Sequence, residues 1–316
     1  MSFTIRPAIR AQTPLFLGVA GPSRSGKTFS ALRMATGLAG EGSIVMIDTE
    51  SGRGLQYADM FKYQYVPLES PFSSERYLEA IEFAKSKGPR VIIVDSASHE
   101  HEGPGGMLER HEEELTRMAG ADEKKRDRSN FAAWIKPKAA HNKYVNRLLQ
   151  LGPEIHFIFC FRAKQKLKIV PGKDPIPLGW SPICSDRFEY EMSFLLVLPE
   201  GAQGRPDLEA LQTGLRAPFG DFIKPGMQLD EDLGKRLAEW AKGTGSAIPA
   251  TPEKVETISE TQIGKLARMM ELADVSEAML CELVSEKTKQ PVSELKQIPL
   301  WAYSPAVKWL RQQVNE

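Results

Sequence analysis

Residues 21–28 constrain the fold of this chain more than any other feature of its sequence. They read G-P-S-R-S-G-K-T, a complete match to the phosphate-binding pattern G-x-x-x-x-G-K-[ST]. An apolar run at 15–20 precedes them and a helical pattern at 29–35 comes after them, which is the strand–loop–helix context that the pattern needs. A glycine-rich turn with an accidental Lys-Thr is the alternative. The context favours a loop that binds a nucleoside triphosphate.

Separate parts of this loop have separate predicted roles. Its glycines let backbone N–H groups curl around phosphate oxygens, and the N-terminus of the following helix adds a partial positive charge. Lys27 is predicted to reach the β- and γ-phosphates, and the Thr28 hydroxyl is predicted to ligate Mg²⁺. The predicted ATP-binding residues are Gly21, Pro22, Ser23, Arg24, Ser25, Gly26, Lys27, Thr28 and Phe29. ATP and Mg²⁺ are thus the predicted ligands.

Composition limits the partners and the compartment. The 316 residues can bury one large core with a small additional domain, or two medium-sized cores. Basic and acidic residues balance at 41 each, so any nucleic-acid surface must be a local patch. The cysteines Cys160, Cys184 and Cys281 form no C-x-x-C pair, which fits a reducing compartment without structural zinc. No window approaches the ~20 apolar residues of a membrane span, and the N-terminus does not resemble a secretory signal. We predict a cytoplasmic protein without a membrane partner.

Hydrophobic patterning divides the chain into three parts. Residues 1–242 alternate apolar runs with amphipathic stretches, which is typical of an α/β domain with a mostly parallel sheet. Beyond the run at 15–20, strands are predicted at 43–48, 90–95, 155–161 and 191–198, and helices near 27–39, 74–87, 105–119 and 137–151. Residues 121–128 have no apolar periodicity and are predicted to be an exposed loop.

The remainder of the chain has a different composition. Residues 243–257 are rich in small residues and proline and are predicted to be a flexible linker. Ser259 and Gln262 then form a capping-box pattern ahead of an amphipathic helix. Pro291 and Pro299 divide the rest of the chain into further short helices. We therefore predict a small all-α domain at 258–316.

Two acidic residues at strand ends indicate how a bound nucleotide could be hydrolysed. Asp95 ends an apolar strand and is followed by serine, the pattern of a second nucleotide motif whose carboxylate holds Mg²⁺ through water. Glu50 comes after the strand between the two motifs, where a carboxylate could orient and deprotonate the attacking water. A solvated loop acid or a neighbour of a helix N-cap is the alternative for Glu50. Thr28 and Asp95 are the predicted metal-binding residues.

The order of these features resembles the RecA-like ATPases, in which a catalytic glutamate precedes an Asp-Ser that closes a later strand. The resemblance implies a polar sensor at the end of the next strand, where this chain has Arg162 and RecA has glutamine. An arginine there could contact the γ-phosphate or a neighbouring subunit's nucleotide, and a basic surface strand is the alternative. The predicted catalytic residues are Lys27, Glu50 and Arg162.

A closer resemblance covers residues 12–242. The segment 95–109, D-S-A-S-H-E-H-E-G-P-G-G-M-L-E, resembles a phage-encoded ATPase family of recombination or replication modules, and so do 130–134, 137–142, 162–165, 186–191 and 234–240. This resemblance implies kinship with RecA-like single-strand annealing ATPases, self-assembly into rings or filaments, and a single-stranded DNA partner. The segment 258–262 is similar to the start of small C-terminal domains of phage recombination proteins.

Single-strand binding requires a positive groove and aromatic faces. The candidate DNA-binding residues are Lys136, Lys138, Lys143, Lys164, Lys166 and Lys168, with Arg147, Lys173, Trp134, His141 and Trp180 nearby in the sequence. A solvated helical face is the alternative for the first three. Arg187 and Arg216 are candidate fingers that act on a neighbouring subunit's nucleotide.

Three histidines, His99, His101 and His111, lie close together in the sequence. They could ligate zinc, but they do not have the H-E-x-x-H spacing of a helical metal site. The preferred interpretation places His99 and Glu100 in a loop beside the magnesium aspartate, where they could relay the nucleotide state or contact DNA.

Two functions remain open from the sequence. The first is an Mg²⁺- and ATP-dependent RecA-like protein that binds single-stranded DNA, self-assembles and assists phage recombination. The second is a nucleotide-gated protein that loads or regulates a replication enzyme or a single-strand-binding protein through residues 258–316, with little DNA affinity of its own. A small-molecule phosphotransferase is disfavoured because the sequence shows no obvious lid or acceptor pocket.

Overall fold

The computed structural model describes residues 8–168, 174, 176–208, 215, 217–244, 257–288 and 291–314. They fall into two compact units, one within Arg10–Gly245 and one within Met1–Ile9 together with Ser246–Glu316. Residues 245–256 of the predicted linker lie outside the described residues.

A central sheet of seven strands organises the first unit. The strands are β1 (Phe16–Gly21), β2 (Ile44–Asp48), β3 (Gln64–Pro67), β4 (Val91–Asp95), β5 (His156–Lys168), β6 (Ile176–Pro182) and β7 (Phe194–Val197). Their order is β3-β2-β4-β5-β1-β7 with parallel pairing throughout, and β6 pairs antiparallel with the second half of β5. The predicted α/β fold with a mostly parallel sheet and a C-terminal helical region is confirmed.

Helices cover both faces of this sheet and build the second unit. In the first unit they are α1 (Lys27–Ala39), α2 (Ser74–Lys85), α3 (His99–Glu102), α4 (Met107–Ala119), α5 (Glu123–Ala133), α6 (Ile135–Leu148), α7 (Asp186–Tyr190) and α8 (Glu231–Ala241). In the second they are α9 (Glu260–Ala273), α10 (Glu277–Thr288) and α11 (Tyr303–Val314). None of the helices among the described residues has the length and apolar character to span a bilayer.

Successive side chains of a strand point to opposite faces of the sheet. Because helices cover both faces, both sets of side chains are buried. In β2, Ile44 and Met46 join the cluster that contains Leu32 and Leu233. Val45 and Ile47, between them, join the cluster on the other face, which contains Tyr77. Each strand is thus fixed from both sides, which holds its carboxyl end in place.

The prediction of an exposed loop at 121–128 is wrong, because α5 occupies most of it. The Asp122 side chain caps the helix by accepting from the backbone N–H of Lys125 at 3.1 Å. Arg126 donates to the Gly120 carbonyl at 3.1 Å and pairs with Glu112 on α4. Glu, Lys and Arg are good helix formers, and this helix is held by polar contacts with α4. It therefore shows no apolar period in the sequence.

Two glycines allow α1 and α8 to pack closely. A Cβ atom added at Gly37 would lie 1.9 Å from the carbonyl oxygen of Glu231, and one added at Gly234 would lie 2.2 Å from that of Met34. Backbone therefore meets backbone where these helices cross. Arg33 closes the same contact by donating to Glu231, with its Nη2 2.6 Å from Oε2.

Gly37→Ala is expected to lower the free energy of unfolding by about 1–3 kcal/mol, because the added methyl group must push the two helices apart. Gly264→Ala in α9 is the matched control, since its added Cβ meets no atom within 4 Å beyond its chain neighbours and the backbone of its own helix. The control is expected to stabilise by about 0.5–1 kcal/mol through helix propensity. Urea unfolding followed by circular dichroism measures both. A stabilising Gly37→Ala would contradict the close packing.

The second unit has its own apolar core, which includes Leu266, Leu280, Ile298 and Leu310, all fully buried. Ser259 caps α9, and the side chain of Gln262 accepts from the Ser259 backbone N–H at 2.9 Å. The predicted capping box is confirmed.

Candidate functional site

The strand register brings the carboxyl ends of three strands to one edge of the sheet. Gly21 at the end of β1 is paired with Arg162 on β5, and Asp95 at the end of β4 is paired with Cys160. Asp48 at the end of β2 is paired with Asp95. Because β5 lies between β1 and β4, Arg162 stands between the phosphate-binding pattern and Asp95. Residues far apart in the sequence thus meet at this edge.

The loop between β1 and α1 has a backbone that requires glycine. Gly26 has φ +90°, in the left-handed region, and a Cβ at Gly21 would lie 2.3 Å from the Leu198 carbonyl oxygen. The Lys27 ammonium group curls back and donates to the Pro22 carbonyl at 2.7 Å. Ser25 Oγ is buried and has no hydrogen-bond partner among the described residues. With the first amides of α1, which lack intrahelical partners, the loop presents several unused polar groups.

Thr28 and Asp95 are in direct contact. The Thr28 hydroxyl donates to Oδ2 of Asp95 at 2.5 Å. Burial raises the pKa of Asp95 to about 6, although the Thr28 hydrogen bond and the nearby Lys27 lower it. Burial also lowers the pKa of Lys27. A hydroxyl and a carboxylate are hard oxygen donors, and a cation would relieve the burial cost of Asp95, so this pair fits Mg²⁺.

Asp48 fixes the segment that carries Glu50. Its Oδ1 accepts from the Glu50 backbone N–H at 2.5 Å, and its Oδ2 accepts from the Gly54 N–H at 3.0 Å and from the Tyr65 hydroxyl at 3.1 Å. Burial, with Asp48 beside it, raises the pKa of Tyr65 to about 12. Sequence reasoning missed this anchoring role of Asp48, because its partners come from a 3₁₀ helix (Arg53–Tyr57) and from the short strand β3.

Glu50 is held by two arginines. Arg162 donates to Oε1 of Glu50 from Nε at 3.0 Å and from Nη2 at 2.8 Å. Arg53 donates to Oε2 at 3.2 Å. The Glu50 side chain is 14% exposed and that of Arg162 is 42% exposed. The alternative interpretation of Glu50 as a solvated loop acid does not fit this burial, and the predicted base and the predicted sensor form an ion pair.

His99 links the ends of β2 and β4. Its Nδ1 lies 2.8 Å from the hydroxyl of Thr49, and that hydroxyl also accepts from the Ser96 backbone N–H at 2.8 Å. Its Nε2 lies 3.9 Å from Oε1 of Glu50. Burial lowers the pKa of His99, and the charge of Arg162 adds to that effect. This histidine therefore sits beside the strand-end carboxylates as a neutral ring near neutral pH.

Glu100 points away from that edge into the interior. It accepts from the Ser74 hydroxyl and lies 3.0 Å from Nδ1 of His141. Nε2 of His141 lies 2.5 Å from the hydroxyl of Ser185. Sequence reasoning missed this buried polar chain, whose members come from four separate segments.

Two of the three neighbouring histidines, His99 and His111, lie in different surroundings. His111 stacks on Trp134 with ring centroids 4.2 Å apart, while His99 lies beside Thr49. Among the described residues, no group of three or more histidine, cysteine or acidic side chains is arranged to hold a metal ion.

The candidate DNA-binding residues occupy two places. On α6, Lys136 pairs with Glu114 at 2.7 Å, Lys138 lies over the Trp134 ring at 5.6 Å, and Lys143 is exposed. On β5, Lys164 and Lys166 are exposed. The Lys168 side chain, Lys173 and Arg216 lie outside the described residues. Nη1 and Nη2 of Arg187 donate to Asn142 and Asn146 on α6 at 3.0 and 2.6 Å.

Comparison with known protein families agrees with this geometry. Residues 13–196 match the family described as "AAA domain". The matched segment contains the phosphate-binding pattern, Glu50, Asp95 and Arg162. A comparison with curated proteins found no match. Since the family match spans more than half of the 316 residues, the chain belongs to the AAA domain family of P-loop ATPases.

Proposed function

We propose that this protein is an Mg²⁺-dependent ATPase that binds single-stranded DNA and assists annealing or strand pairing in a phage recombination or replication module. The observation that carries the ATPase part is the convergence of Lys27, Thr28, Asp95 and Glu50 at one edge of the sheet. The family match supports ATP binding, and the resemblance of segment 95–109 supports the recombination role. The same resemblance supports homo-oligomers with ATP between subunits.

Each residue of the site has a proposed role that derives from its position. Lys27 is half-buried near the two carboxylates, and on release from the Pro22 carbonyl it would donate to the β- and γ-phosphates. Thr28 and Asp95 would hold Mg²⁺, the hydroxyl directly and the carboxylate through water. The bound ion would supply neutralisation of phosphate charge. The amides of residues 24–28 would donate to the remaining phosphate oxygens.

Glu50 is proposed to orient and deprotonate the attacking water. Both of its carboxylate oxygens accept hydrogen bonds from arginines. Arg162 would therefore leave Glu50 when an anionic γ-phosphate offers it a stronger partner. This exchange would make the glutamate available to water only when ATP is present.

A basic helical face with an exposed aromatic ring supports DNA binding. Lys124, Arg128 and Phe131 on α5 are spaced i, i+4, i+7 and lie on one side of the helix. Phe131 is 87% exposed, and Ile135, one turn further at the start of α6, is 68% exposed. Neither Lys124 nor Arg128 pairs with an acidic residue in the described part of the chain, unlike their neighbours Lys125 and Arg126. Such a surface suits a strand whose bases stack and whose phosphates meet cations.

The deciding experiment is ATP hydrolysis with and without single-stranded DNA, together with DNA binding at two salt concentrations. Stimulation by DNA and affinity that falls steeply with salt are the expected results. If DNA does not change the rate of hydrolysis and does not bind even at low salt, the proposal of DNA binding is wrong and the proposal of ATP hydrolysis still stands.

Phe131→Ala is expected to weaken binding of a thymidine oligonucleotide by roughly 5- to 150-fold, which corresponds to the loss of one stacked base. Phe83→Ala on α2 is the matched control, because that ring is 53% exposed and also lies near a cation, Lys87, at 4.8 Å. Fluorescence anisotropy measures both. Equal effects of the two substitutions would show that α5 is not the binding face.

A further inference from the structure

The second unit carries a groove that the ATPase chemistry does not use. It lies between α9 and α11 and has a volume of about 790 Å³. Leu266 and Met270 of α9 and Ala306 and Leu310 of α11 are buried in the core between the helices. Residues next to these in the sequence line the groove, so it runs along the edge of the packed helix pair. We call it the α9–α11 groove.

The groove is strongly basic. Four of its nine lining residues are cations, Lys265, Arg268, Lys308 and Arg311, and none is acidic. Lys265, Arg268 and Lys308 are exposed, and the ion pairs of the described residues do not include them. The whole chain has no net charge, so this concentration of positive charge is local. Exposed cations around a concave surface favour an anionic ligand and raise its rate of association.

The floor of the groove is apolar. Met269, Tyr303 and Val307 line it and are half-buried. Methionine is flexible and polarisable and adapts to varied apolar side chains. A ligand that meets only the cations would leave this floor in contact with water, whereas one that also inserts an apolar side chain would bury it.

We infer that the α9–α11 groove binds a partner protein through an acidic peptide segment that carries at least one large apolar side chain. Carboxylates of the segment would pair with the exposed cations of the groove. Its apolar side chain would lie between the helices and contact Met269 and Val307. A groove between two helices is a common site for such a segment. A nucleic acid strand fits less well, because Tyr303, the aromatic residue that lines the groove, is half-buried and offers little ring surface for stacking.

The test uses the full-length chain and a short fluorescein-labelled peptide in which aspartates flank a Leu-Phe pair. A second peptide replaces Leu-Phe by Ser-Ser, and a thymidine oligonucleotide of equal charge is the third probe. Wild type is expected to bind the first peptide at least about tenfold more tightly than the second, because only the first fills the apolar floor. Binding of the first peptide is expected to weaken as salt is raised.

The double substitution Lys265→Glu with Lys308→Glu is expected to weaken binding of the first peptide at least about tenfold, because it replaces attraction by repulsion on both walls. Lys287→Glu on α10 is the matched control, since Lys287 is exposed and does not line the groove. All three positions are exposed, and circular dichroism confirms that each variant is folded. ATP hydrolysis and DNA binding of the double variant are expected to match wild type, so this test does not depend on the proposed function.

Four outcomes would overturn the inference. They are no binding of the Leu-Phe peptide by wild type at low salt, equal affinity for the Ser-Ser peptide, equal or tighter binding of the oligonucleotide in competition with the peptide, and an effect of the double variant no larger than that of Lys287→Glu. The third outcome would make the groove a nucleic-acid surface instead.

Discussion

Lys27→Ala is expected to reduce ATP hydrolysis by about 10²–10³-fold, as the loss of one preorganised donor to developing charge does in other enzymes. The Lys27 ammonium group lies near the carboxylates of Asp95 and Glu50, in a site where burial lowers its own pKa. This ammonium group is half-buried, and its hydrogen bonds to an anionic phosphate would be of the strong, charge-assisted kind. Alanine removes this charge and leaves the loop backbone in place.

Steady-state hydrolysis and titration with a fluorescent ATP analogue measure the effect of Lys27→Ala. Lys62→Ala is the matched control, because Lys62 is exposed and lies outside the loop. Lys27→Arg is expected to reduce ATP hydrolysis nearly as much, since a planar guanidinium does not replace a compact ammonium group in a closely fitted loop. Wild-type hydrolysis by Lys27→Ala would mean that the loop is not the site of phosphate chemistry.

Much of the site could be predicted because its residues belong to short, local patterns. The sequence pattern predicts a helix near 27–39 after the phosphate-binding loop, and α1 has those bounds. Asp95 and Glu50 come at or just after the ends of apolar strands, and the carboxyl ends of parallel strands meet at one edge of the sheet. A parallel sheet is therefore enough to predict that these groups lie close together, and the continuous apolar runs indicate such a sheet.

Other features could not be predicted because they depend on contacts between distant segments. The pair between Glu50 and Arg162 joins residues 112 positions apart. The anchoring of Asp48 needs Tyr65 from β3, a strand too short and too polar to be recognised as one. Helix α5 has no apolar face, and its contacts with α4 stabilise it. A periodic spacing of apolar residues in the sequence reveals a buried face of a helix or strand. None of these features creates such a face, so the spacing does not reveal them.

Glu50→Gln is expected to reduce hydrolysis by about 10²–10⁴-fold, the usual contribution of a general base, and to leave ATP binding nearly unchanged. Glutamine keeps the size of the side chain and an oxygen that accepts from Arg162, but it cannot take a proton from water. Single-turnover hydrolysis and nucleotide titration separate the two effects. A parallel loss of binding would instead assign Glu50 a role in holding the loop.

The matched control for Glu50→Gln is Glu102→Gln. Glu102 also lies near Arg162, at 4.0 Å from Nη1, but its side chain is more exposed. It is expected to have little effect, because a partly exposed ion pair contributes little.

Arg162→Ala then distinguishes a sensor from a restraint. If Arg162 moves to the γ-phosphate, its loss should lower hydrolysis at saturating ATP; if it only holds Glu50, its loss should raise hydrolysis. We expect the first result, because a γ-phosphate carries more charge than the carboxylate it would replace as the partner of the guanidinium.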